Sequence, residues 1–143
     1  MSTRTLPAST PSLYTLVALL YAELASTIQV HGVRLPSGWK PEDGNSVVVA
    51  NNGGPGSFNG AELDERFTVH SYGQTDSAGL DTDIAVFNAL HRWEGRQVTV
   101  DSEVIYIGLI VRENGPFWNR EPITEWARQT STYRVVMSEW AAP

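Results

Sequence analysis

Between Ser46 and Trp93 the chain sets out a scaffold in four consecutive steps. Val47, Val48 and Val49 predict a strand that ends near Asn51. The stretch from Asn51 to Gly60 follows, with Gly53, Gly54, Pro55 and Gly56 at its centre, and predicts a mobile loop because few side chains there can anchor it. From Glu65 to Tyr72 residues alternate, with Phe67, Val69 and Ser71 on one face and Arg66, Thr68 and His70 on the other, which is strand periodicity. From about Ser77 to Trp93 the period becomes helical, with Leu80, Ile84, Phe87 and His91 along one face. Asp81 and Asp83 fall in its early turns, where carboxylates oppose the positive end of the helix dipole.

The flanks complete an α+β pattern. Residues 1–11 are rich in Ser, Thr and Pro and predict a flexible tail, leaving 12–143 as a single domain. Ser12 is the expected N-cap of a helix reaching about Gln29, with Leu13, Val17, Leu20 and Leu24 as its apolar stripe. Residues 32–45, punctuated by Gly32, Pro36, Gly38, Pro41 and Gly44, read as a connection. Gly95 closes the second helix. Gln97–Val100 and Val104–Val111 are then strand candidates joined through Asp101 and Ser102, the second apolar on both faces and therefore central or covered by another subunit. A last strand, Thr132–Trp140, alternates Tyr133, Val135 and Met137 against Arg134, Val136 and Ser138. Glu113–Ser131 is left as a long loop carrying Phe117, Trp118 and Trp126. The expected architecture is an antiparallel or mixed sheet with both helices packed on one face.

Composition removes several functions. Without cysteine there is no disulfide framework, thiol catalysis or thiolate metal site. The net charge is −6, Lys40 is the single lysine and the arginines are scattered, so phosphate neutralisation cannot support stable nucleic-acid binding. The apolar run Leu13–Ala22 is shorter than the roughly 20 residues a bilayer demands. Glu23 interrupts it and only Arg4 precedes it as a cation, so it reads as a domain helix rather than a signal peptide or membrane span.

No motif carries chemistry. Gly53–Gly60 lacks the lysine and the following helix of a phosphate-binding loop. His70 and Ser71, as strand neighbours, point to opposite faces and cannot act as base and nucleophile. Asp76, Asp81 and Asp83 do not follow a calcium-loop register, and His31, His70 and His91 are scattered. No catalytic residue, metal or cofactor is expected. The expected interface residues are Gly53, Gly54, Pro55, Gly56 and Phe58 in the glycine stretch, with Phe117, Trp118 and Trp126 in the long loop, because exposed aromatics favour interfaces.

The succession SVVVANNGGPG, ERFTVHSYGQTDSAGLDTDIAVFNALHRW, VIYIGLIVREN and STYRVVMSEW resembles the tail terminator, or tail completion, proteins of long-tailed bacteriophages, over roughly residues 12–140. The resemblance implies a virion protein of the tail and neck, assembled in the host cytoplasm as a homo-oligomer, commonly a hexameric ring. Such a ring ends tail-tube polymerisation, touches the tail tube protein and the neck connector, and lets DNA pass through its lumen without specific binding. A head–tail adaptor or stopper of the neck is the neighbouring alternative. A small ligand-binding or enzymatic domain, resting on His70 near Asp76, is the alternative from another class.

Overall fold

The computed structural model describes residues 10–57, 62–100, 103–121, 124 and 126–139. Their elements run α1 (Thr10–Leu24), β1 (Gln29–Gly32), a 3-10 turn (Pro41–Asp43), β2 (Ser46–Ser57), β3 (Glu62–Tyr72), α2 (Asp76–Trp93), β4 (Arg96–Val100), β5 (Glu103–Arg120) and β6 (Ala127–Glu139). The strands form one mixed, strongly curled sheet in the order β1-β2-β3-β6-β5-β4, and the helices pack against it. Only β1 and β2 run parallel.

The alternating runs behave as their sequences predict. Phe67, Val69 and Ser71 of β3 are buried, as are Tyr133, Val135 and Met137 of β6, and antiparallel pairing aligns them. Val47 and Val49 join this face from β2, and Ile105, Ile107 and Ile110 join it from β5. Against it α1 lays Leu16, Leu19, Leu20 and Leu24, and α2 lays Val86, Ala89 and Leu90. Each fully buried side chain of this size contributes about 1.5–3 kcal/mol, so this inner layer sets the orientation of the sheet.

Four expectations are corrected. First, among the described residues α1 spans Thr10–Leu24, which places Ser12 within the helix rather than at its cap and ends the helix before Gln29. Ser26 and Thr27 favour the turn that follows, in which the Thr27 and Ile28 amides both donate to the Leu24 carbonyl. The chain then enters β1, whose residues find partners along Ser46–Val49 of the valine strand. A four-residue strand of this kind has no pattern of its own to announce it.

Second, Gly53–Gly56 is not a loop. It lies within β2, where Gly53 pairs with Arg66 and Gly56 with Asp64 across two register shifts. Glycine tolerates the unusual backbone of such bulges, so the ladder accommodates the interruption. Phe58 and Gly60 lie outside the described residues.

Third, most of Glu113–Ser131 is hairpin: β5 continues to Arg120 and β6 begins at Ala127. The Asn114-Gly115-Pro116 breaker is absorbed by register shifts on either side of Asn114. Gly115 has φ +95° there, and a Cβ on it would stand 2.5 Å from the Thr130 carbonyl oxygen. Only glycine fits that place.

Fourth, α2 buries a different face. Gly79, Thr82, Asp83, Val86, Ala89 and Leu90 turn inward, while Leu80, Ile84 and His91 are exposed. Small residues bring the helix close to the sheet. Asp83 can be buried because Arg112 of β5 reaches it at 3.0 Å and the Ser131 hydroxyl donates to it at 2.8 Å. Thr75 caps the helix, its Oγ1 accepting from the Ala78 amide at 3.1 Å.

Candidate functional site

The sheet face turned away from the helices is built by the alternate residues of β3, β6 and β5. Pairing places Tyr72 beside Arg128 and Arg128 beside Asn119; one row along, His70 stands beside Thr130 and Thr130 beside Phe117. The 32–45 connection reaches over the Tyr72 end of this face. Its backbone is held by the Trp39 amide donating to the Pro36 carbonyl, by the Lys40 amide donating to Asp43 Oδ2, and by Gln29 Nε2 donating to the Asp43 carbonyl. Trp39 is thereby buried against Tyr72, with ring centroids 5.7 Å apart, and meets Trp126 edge-on at 5.2 Å.

Beside the aromatics runs a polar chain. Arg128 Nε donates to Asn119 Oδ1 at 2.8 Å, and Asn119 Nδ2 donates to Thr130 Oγ1 at 3.1 Å. The Thr130 hydroxyl oxygen also shares a hydrogen bond with His70 Nδ1, 2.9 Å away, in which the imidazole tautomer sets the donor, and it lies 3.4 Å from Asn119 Oδ1. Burial, and then the Arg128 charge, push the His70 pKa down to about 4.

That shift fixes a pH dependence. The unfolded chain binds the His70 proton near the ordinary value of about 6.5, whereas the folded chain releases it above about 4. Stability contributed by neutral His70 is complete above the unfolded value, falls as pH drops through the window, and levels off below the folded value. Thermal melts from pH 7 to pH 4 should show a falling Tm in the wild type and a shallower fall in His70→Gln; identical slopes would remove this role.

Further along the same face stand two forked ion pairs. Arg134 binds Asp64 at 2.9 and 2.6 Å, and Arg66 binds Glu113 at 2.8 and 3.3 Å. The hydrogen bonds from Arg134 hold the Asp64 carboxyl below its usual range, against the opposing effect of burial.

The expected interface residues separate into groups. Phe117, 57% exposed, lies on this outer face, and Trp126 lies beside Arg128 but half-buried under Trp39. Trp118, 55% exposed, pairs with Gln129 and points to the other side of the hairpin, where the Arg120 guanidinium lies 5.4 Å from its ring. Gly53–Gly56 sits on β2, separated from the hairpin strand β6 by β3, and does not join them. A second apolar strip runs along α2, where exposed Leu80 and Ile84 lead to Phe87 under the Arg112 guanidinium.

Sequence reasoning missed Trp39, Tyr72, Asn119, Arg128 and Thr130. The signal was the alternation Trp126, Arg128, Thr130, Thr132, which is visible only once that stretch is read as strand. His70 and buried Ser71 do lie on opposite faces, and Asp76 opens α2 in solvent. Among the described residues no three His, Cys, Asp or Glu side chains stand together as a metal set, and no helix is long and apolar enough to cross a membrane. Comparison with models of known protein families and with curated proteins finds no match.

Proposed function

We propose that this chain is a structural virion protein of the tail-terminator type, whose copies form a ring that caps the tail tube and joins it to the head–neck connector without turning over a substrate. The observation that carries the reading is the pair Phe117 and Trp118. Adjacent in sequence and each more than half exposed, they display aromatic rings on opposite faces of one hairpin. Water-exposed rings of that size favour a partner that covers them, and a partner gripping the hairpin from both sides would cover both. The exposed Leu80 and Ile84 strip offers a further contact for a neighbouring copy, and a heterologous contact that closes makes a ring. The net charge of −6 suits a lumen through which DNA slides without adhering.

The reading predicts capture of tail tube protein by the wild type. The double variant Phe117→Asp, Trp118→Asp should lose that capture while its melting temperature stays close to wild type, because neither ring belongs to the core. Capture of portal-side protein alone would point instead to a neck adaptor. Unchanged capture by the variant would remove the hairpin from the interface.

A further inference from the structure

Arg128 differs in its partners from four other arginines of β3, α2, β5 and β6. Arg66, Arg92, Arg112 and Arg134 are each held by a carboxylate, from Glu113, Glu23, Asp83 and Asp64 respectively. Among the described residues the half-buried Arg128 side chain makes one hydrogen bond, to the neutral Asn119 amide oxygen, and uses one of its five N–H donors in doing so. Around it stand Tyr72, its partner across the strands, and Trp126, two residues before it. Trp39 bridges these two, and Phe117 flanks Asn119 at the open end. Trp39 is 6% exposed, and its indole N–H finds no acceptor among the described residues. The imidazole of His70 beside Thr130 is neutral or cationic and supplies no anion to the guanidinium. The carboxylate of the adjoining hairpin turn, Glu121, is taken by the Thr124 amide and hydroxyl.

We propose that Arg128, walled by Trp39, Tyr72, Trp126 and Phe117, is a recognition site for a carboxylate presented by a protein segment. The guanidinium fork matches the two oxygens of a carboxylate. Aromatic walls reduce competition from water and strengthen the pairing, and Phe117 provides a surface for the apolar part of the residue that carries the acid. A nucleic acid is a poor occupant, because affinity for it grows with the number of phosphates neutralised, and this site offers one open guanidinium on a chain of net charge −6. The site belongs to a single subunit, so it stands or falls independently of ring formation.

The test follows the Arg128 Nε–H and Trp39 indole N–H resonances of the full chain while acetyl-glutamate amide is added at constant ionic strength. Inorganic phosphate and sodium chloride serve as comparison titrants. Both resonances should shift saturably with acetyl-glutamate amide. Arg128→Gln should weaken that binding at least tenfold, and Arg128→Lys, which keeps the charge but loses the fork, should weaken it several-fold. Circular dichroism establishes that each variant is folded, and the lysine variant carries the test if the glutamine variant is not. A non-saturating response, affinity unchanged in the folded variants, or tighter binding of phosphate than of the carboxylate would overturn the proposal.

Discussion

Gly73→Ala is expected to lower stability by about 3 kcal/mol, at the top of the range for overpacking a close contact. Gly73 follows β3 directly and lies under the first turn of α2. A Cβ there would stand 2.5 Å from the Gly79 nitrogen and 2.6 Å from the Ala78 carbonyl carbon, which are backbone atoms that no rotamer change can move aside. The helix start would have to lift, and with it the Thr75 cap and the register of Val86, Ala89 and Leu90 on the sheet. Gly108→Ala is the control. Its Cβ would meet the Tyr106 ring at 3.5 Å, an ordinary contact, so its cost should stay within about 0.5 kcal/mol. Urea unfolding of the two variants separates a steric role for Gly73 from a general cost of replacing glycine; equal destabilisation would contradict the close approach.

Asp83→Ala should cost about 3–5 kcal/mol, the range for breaking a buried ion pair by removing one partner. The carboxylate is 1% exposed and satisfies two groups at once, the Arg112 guanidinium and the Ser131 hydroxyl. Removing it strands a cation against the Phe87 ring, with the guanidinium carbon 4.1 Å from the ring centroid. Replacing both charges, as in Asp83→Leu with Arg112→Met, should recover much of the loss, since no unpaired charge then remains inside. A double variant as unstable as the sum of the two singles would show that the partners act separately rather than as a pair.

The same residue shows where sequence reasoning stops. Leu80, Ile84 and Phe87 make the more hydrophobic stripe of α2, so periodicity alone turns that stripe inward. Asp83 goes in instead because Arg112 and Ser131, distant in the chain, are brought to it by β5 and β6, and no local pattern announces such a partner. In β3 and β6 the alternation is strict and the cross-strand neighbours agree with it, so those faces were legible from residues alone. The glycine and proline signals misled in both directions. In β2 and β5 they mark irregularities inside strands, not the ends of strands, because the partner strands continue past them. Phe117 and Trp118 were recognisable as surface aromatics. Their placement on opposite faces, and the setting of Arg128, depended on reading that stretch as hairpin.

The proposed role of this chain in limiting the growth of a tail tube can be read from negative-stain images of tails assembled without it. Tubes should overrun the wild-type length with a broad distribution, and uniform length should return when the wild-type chain is restored. Tubes of normal, uniform length in its absence would contradict that role.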